Sequence, residues 1–213
     1  MLRRRASRTS SLRELVVVVV LAGLVAYGVQ AWVVKPYQVP SASMEPTLTV
    51  GEHILVDRIG MHFGAPALGQ IYVFHPPFDT ASCAEPARSA PFTGGGGGGA
   101  GAGAGACDRV GSGPSKLTFV KRVVGLPGDH LRIINGAVLR NGHREPYGDA
   151  AGCAGLSVCN FPGTIVVPSG DYYVMGDNRA DSEDSRFWGP VPRAWLIGRV
   201  FFAYWPLGRF GTI

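Results

Sequence analysis

From Leu15 to Val34 the chain carries no charged residue, and Gln30 is its only strongly polar side chain there. These 20 residues reach about 30 Å at helical rise, the thickness of a hydrocarbon core. The valines at 16–20 are modest helix formers in water, but in lipid the backbone must bond internally. Trp32 and Tyr37 stand where interfacial aromatics are expected. The pattern predicts one transmembrane helix over 15–34. After it the hydrophobic period shortens. Apolar or alternating runs recur at 53–56, 71–74, 117–124, 131–134, 137–140, 164–167, 172–175 and 198–203, each bounded by Gly, Pro, Asn or Asp. Asn135-Gly136 predicts a hairpin turn, and Asn141-Gly142 repeats the signal. No amphipathic helix pattern follows the span, only room for short helices near 46–49 and 192–196. The expected fold is mostly β: coiled antiparallel sheets forming a partly closed barrel or sandwich, behind one N-terminal transmembrane helix.

Charge orients this scheme. The chain has 213 residues and a formal charge of +5, which invites a nucleic-acid or a membrane reading. Arg3, Arg4, Arg5, Arg8 and Arg13 against Glu14 place +4 of it on residues 1–14. A nucleic-acid binder carries its basic patch on the folded domain, so no nucleic-acid partner is expected. Arginines before the span, against Lys35 alone just after it, put the N-terminus in the cytoplasm. The expected organisation is a basic tail at 1–14, an anchor at 15–34 and an extracytoplasmic β domain at 35–213. A cleaved secretory signal fits less well, because 29–31 make a poor cleavage site and the apolar stretch is long. Residues 94–106 are Gly and Ala only. They lack the Lys-Ser/Thr that follows a phosphate-binding loop. With flanks from about 78 to 115 they read as a flexible insertion between two core strands. Cys83, Cys107, Cys153 and Cys159 lack metal-ligand spacing. No metal or cofactor is expected. Two disulfides are expected outside the cytoplasm. Of three connectivities, Cys83–Cys107 with Cys153–Cys159 joins neighbours and staples one loop each.

The chemistry centres on a serine and a lysine. A serine hydroxyl needs a base to take its proton. None of the histidines at 53, 62, 75, 130 and 143 belongs to a recognisable Ser/His/Asp pattern. Lys121 is the alternative. It interrupts the apolar run Phe119-Val120-Lys121-Arg122-Val123-Val124, where a solvated lysine is out of place. Apolar surroundings and a nearby cation such as Arg122 lower a lysine pKa. A drop from about 10.4 to about 7.5 corresponds to roughly 4 kcal/mol. A lysine so tuned acts as a general base near neutral pH.

The segment Tyr37-Gln38-Val39-Pro40-Ser41-Ala42-Ser43-Met44-Glu45-Pro46-Thr47-Leu48 resembles the serine box of bacterial type I signal peptidases, the Ser/Lys dyad family. Residues 121–129 resemble the family's lysine box, and 176–189 (GDNRADSEDSRFWG) its third hallmark. The likeness runs from about Val34 to Trp205, interrupted by the Gly-rich insertion. Ala180 and Gln70 depart from it where the family often has an acidic residue. It implies a membrane-bound serine endopeptidase of the bacterial plasma membrane. Such an enzyme removes signal peptides from exported preproteins through an acyl-enzyme. It further implies Ser43 as nucleophile, Lys121 as general base, and Ser41 with the Ser43 N–H as the oxyanion hole. Ser182 would orient the lysine, with Arg122, Asp177, Asp184 and Arg186 as an ion-pair scaffold. Val39, Met44, Leu48, Phe119 and Val120 flank the dyad and would line shallow apolar pockets. The chain is taken as a monomer whose partners are preprotein signal peptides and the lipid bilayer. A self-cleaving repressor-type hydrolase would need a DNA-binding head in place of the apolar run. An anchored binding module without catalysis would not need both Ser43 and Lys121.

Overall fold

The computed structural model describes residues 8–78 and 106–213. Helix α1 covers Arg8–Trp32. Its described side chains from 12 to 25 are exposed, the valines at 16–20 among them. Among the described residues no helix is long and apolar enough to cross a membrane. The span expected at 15–34 also ends early. Val34–Gln38 form strand β1, which the unbroken apolar run conceals in the sequence. β1 lies at a sheet edge, where Pro36 and its missing N–H are tolerated.

The strands that follow are β2 (His53–Asp57), β3 (Ile71–Phe74), β4 (Phe119–Gly125), β5 (His130–Ile134), β6 (Ala137–Arg140) and β7 (His143–Arg144). Then come β8 (Phe161–Val166), β9 (Asp171–Met175), β10 (Val191–Pro192), β11 (Leu196–Trp205) and β12 (Gly211–Thr212). Among the described residues two short α-helices, α2 (Gly60–Phe63) and α3 (Ser185–Trp188), accompany the strands. The strand order of the larger sheet is β1-β2-β11-β3-β4-β9-β10, with β12 on β11. The smaller sheet runs β7-β6-β5-β8. Among the described residues every strand pairing is antiparallel. Register shifts in β11 at Leu196/Gly198, Val200/Phe202 and Ala203/Trp205, and in β4 at Val123/Gly125, curl the large sheet. The fold is therefore mostly β, with a curled antiparallel sheet as expected.

Local chemistry accounts for the joints. Asn135 and Gly136 both have positive φ, 48° and 77°, and turn β5 into β6. Asn141 and Gly142, at 51° and 85°, turn β6 into β7. Both are the mirror-image turns that match strand twist. In β2, Ile54 and Val56 are buried while their neighbours are half-buried, the alternation of a one-sided strand. β3 and β9 are buried throughout. β4 lies between them and feeds three apolar clusters, through Val120, Val124 and Val123 respectively. A lysine in β4 therefore starts out dry.

Cys153 and Cys159 are bonded to each other. Cys107 is also disulfide-bonded; its expected partner Cys83 lies outside the described residues, as do 94–105 of the Gly/Ala tract. The ends of the insertion are anchored more firmly than a loose loop requires. Phe78 N donates to Gly113 O and Ser115 N to Pro76 O. Ala106 and Cys107 are buried, and Cys107 N donates to Arg186 O of α3.

Candidate active site

The segment after β1 is pinched at its neck. Val39 N donates to Glu52 O, and Gly51 N donates to Val39 O. Ser41 is extended, and Ala42–Met44 make one 3₁₀ turn closed by Glu45 N donating to Ala42 O. Met44 and Leu48 plunge into the core below, at 1% and 0% exposure. The turn is thus fastened by apolar side chains and leaves Ser43 facing β4. Ser41 Oγ lies 3.2 Å from Ser43 Oγ.

Lys121, 3% exposed, reaches this turn from β4 and donates through Nζ to Ser43 Oγ at 2.5 Å. Burial lowers the Lys121 pKa to about 8, and the Arg186 charge pushes the same way. Asp184, Glu183 and Asp177 pull it back up. The cation that assists is therefore Arg186, where the sequence suggested Arg122. The reason is strand alternation: Arg122 projects away from Lys121. Its guanidinium bonds both oxygens of Asp177, at 2.8 and 2.6 Å, and Gly69 O. With its proton gone, the Lys121 amine has a lone pair aimed at the serine hydroxyl, the arrangement that activates a nucleophile.

Residues 176–188 form the floor. Asn178 N donates to Ser43 O at 3.1 Å, tying this segment to the serine turn. Asp184 caps α3 and accepts from Gly176 N. Asp184 and Arg186 form a fully buried two-pronged pair at 2.8 and 2.9 Å. The other donors of Arg186 go to carbonyls of Val158, Arg179 and Ser182. Such a pair is tolerable in a dry place only because every donor is used. The buried Ser182 Oγ has no hydrogen-bond partner among the described residues and so makes no bond to Lys121. Its expected lysine-orienting contact is not formed in this arrangement.

A cleft of about 390 Å³ opens over the pair. Val39, Pro40 and Met44 line it from the serine segment, and Phe119 and Val120 from β4. Leu48 does not line it, because it is consumed by the core. Asp181 and Glu183 line it from the floor segment. β3 covers β4 from Phe119 to Arg122, whereas β9 pairs only from Arg122 onward. The 119–121 stretch of β4 therefore has one edge free of a paired strand among the described residues.

Three residues here escaped sequence reasoning. Arg179 is buried, and burial lowers its pKa to about 10. Its guanidinium donates to carbonyls of Gly176, Gly136 and Tyr147. Glu52 is 2% exposed and accepts from Thr49 N, Thr49 Oγ1 and Arg209 Nε. Arg209 also donates to Pro46 O and Thr47 O. Neither arginine shows a side-chain pattern in sequence, because each is held largely by backbone oxygens of distant segments, and Glu52 meets its charged partner only across 157 residues. Among the described residues no group of three or more His, Cys, Asp or Glu could hold a metal ion.

The family model described as "Signal peptidase, peptidase S26" matches residues 12–205. The chain belongs to the signal peptidase family. Membership makes it an enzyme that hydrolyses peptide bonds. Signal peptidase I of Leptolyngbya laminosa is 32% identical over 210 residues, 96% of this chain and 85% of that relative. Signal peptidase I of Mycobacterium tuberculosis is 32% identical over 242 aligned positions, 98% of this chain and 78% of that relative. A crystal structure of a signal peptidase I from Enterococcus faecalis is 23% identical, with a TM-score of 0.39 over 64% of this chain and 97% of its own, too loose to bear on the fold. Within this signal peptidase, the serine turn, β4 and the 176–188 floor are the segments that meet.

Proposed function

We propose that this chain is a membrane-bound serine endopeptidase that removes N-terminal signal peptides from exported preproteins, using Ser43 and Lys121 as a catalytic dyad. The observation that carries this reading is the 2.5 Å contact between Lys121 Nζ and Ser43 Oγ in a dry setting. Neutral Lys121 takes the Ser43 proton as Oγ attacks the scissile carbonyl. The oxyanion is held by the Ser43 N–H and the Ser41 hydroxyl, a contribution of about 3–4 kcal/mol per donor to the barrier. Protonated Lys121 then gives its proton to the departing amine, leaving an acyl-enzyme on Ser43. Lys121 next takes a proton from water as the water oxygen attacks the acyl carbon; the bond to Ser43 Oγ then breaks, Lys121 returns the proton to Oγ, and the signal peptide leaves with a free carboxyl end. Arg122–Asp177 and Asp184–Arg186 hold the floor that positions both residues.

The substrate adds as an extended strand along the open edge of β4 at 119–121, bonding through its main chain. Val39, Met44, Phe119 and Val120 leave room for small side chains near the cut. The uncharged helical run at 15–32 anchors the chain, with residues 1–14 in the cytoplasm and the β domain outside at the plasma membrane. Support comes from the exposed valines of α1, which water alone would leave uncovered. Ser43 follows Val34 by nine residues, so cleavage occurs near the bilayer, where signal segments are concentrated. The test mixes detergent-solubilised protein with a preprotein and compares Ser43→Ala and Lys121→Ala. Both variants should lose cleavage by more than about a thousandfold. Wild-type cleavage by either variant would remove the dyad.

A further inference from the structure

Four carboxylates lie between residues 177 and 184 (Asp177, Asp181, Glu183 and Asp184). Two are committed: Asp177 to Arg122 and Asp184 to Arg186. Asp181 and Glu183 are not. Exposure alternates from 181 to 184, with Ser182 and Asp184 buried and Asp181 and Glu183 exposed. Both exposed carboxylates line the cleft that holds Ser43 and Lys121. No hydrogen bond or ion pair joins either side chain to another described residue.

We propose that Asp181 and Glu183 set the charge specificity of the cleft, favouring preprotein segments with a basic side chain beside the scissile bond and rejecting acidic ones. This rests on the peptidase reading above. The remaining lining residues are apolar or uncharged apart from Lys121. Lys121 must be neutral to act as base, so in its working form the lined cleft carries two negative charges and no positive one. Any charged substrate side chain seated there meets that field before it meets bulk water. The field extends to the reacting atoms, since the Glu183 charge raises the Lys121 pKa. At separations of about 6–8 Å in a water-like medium each charge pair is worth about a two- to threefold change in equilibrium, reduced further by salt. Two such pairs, one with each carboxylate, change sign together when lysine replaces glutamate in the substrate.

The experiment uses the full chain in detergent and synthetic preprotein-derived peptides that differ at one position. That position carries Lys, Gln or Glu immediately after the scissile bond or, in a second series, two residues before it. The expected order of kcat/KM is Lys, Gln, Glu in at least one series. The extremes should differ by about tenfold near 20 mM salt and by about twofold near 0.5 M. The double variant D181N/E183Q should bring the Lys-to-Glu ratio to within about twofold at low salt. It should also move the acid limb of the pH profile, read with the Gln peptide, to lower pH. A wild-type ratio near one in both series would overturn the inference, as would an unchanged preference in the double variant. Cleavage of none of the peptides by wild type would remove the peptidase reading and this inference with it.

Discussion

A close approach between the floor and the serine turn, at Gly176, offers a severe test. Gly176 has no positive φ, so its lack of a side chain is a matter of space. A Cβ built there would lie 2.6 Å from Ser182 Cβ and closer still to Ser182 Oγ and to the backbone oxygen of Ser43. A hydroxyl can rotate away, but the Ser43 carbonyl cannot. It already accepts from Asn178 N, two residues beyond Gly176. Gly176→Ala must therefore push the serine turn and the floor apart by more than about half an ångström. Overpacking of this kind costs about 1–3 kcal/mol. For a protein of this size that lowers Tm by roughly 3–10 °C. The kinetic effect should be larger. Misplacing a reacting group by about 1 Å costs on the order of a hundredfold, so kcat should fall at least about tenfold with KM little changed. The assay is preprotein cleavage with kcat and KM separated, beside a thermal melt. Measured against Ser182→Gly, the double variant G176A/S182G should keep most of the Tm loss and the kcat defect, because the clash with the Ser43 carbonyl remains. A well-folded Gly176→Ala enzyme cutting at the wild-type rate would refute the reasoning.

Three further outcomes follow from the structure. The kcat/KM profile should rise with pH through an acid limb near 8, where Lys121 loses its proton. Because the folded pKa is lowered, the unfolded chain binds more protons between about 8 and 10.5, and stability should rise with pH across that window. The gain is about 3 kcal/mol relative to Lys121→Met in denaturant melts, and a flat difference would contradict it. Arg209→Ala should destabilise by about 1–2 kcal/mol in the same melts. Glu52 loses its only charged hydrogen-bond partner among the described residues, although Arg209 is itself 37% exposed.

The sequence makes legible what depends on side-chain pattern. β2, β3 and β6 stand where alternation and bounding turn residues place them, and both Asn-Gly turns close as their φ values require. The serine and lysine segments meet because each carries its own local reason: a turn pinned by Met44 and Leu48, and a lysine in a strand buried on both sides. Other features rest on backbone geometry. β1 hides at the end of an apolar run that reads equally well as helix. β11 is longer than its apolar core suggests because exposed Arg199 and the bulges interrupt the period without ending the strand. Arg186, and not its sequence neighbour Arg122, helps keep Lys121 neutral, since only the folded alternation decides which guanidinium turns toward the amine. Leu48 has the same apolar character as Met44, but three-dimensional position sends it wholly inward.

Arg179 ties the Asn-Gly hairpin of the small sheet, the Tyr147 loop and the end of β9 to one guanidinium, and it grips all three by peptide oxygens. A grip of this kind is blind to side-chain identity. Apart from Asn135 and Gly136, which positive φ and close packing hold fixed, the hairpin can therefore change in composition at little cost, provided its chain path is preserved. A one-residue insertion there, however far from the cleft, would withdraw an oxygen that no compensating side chain restores.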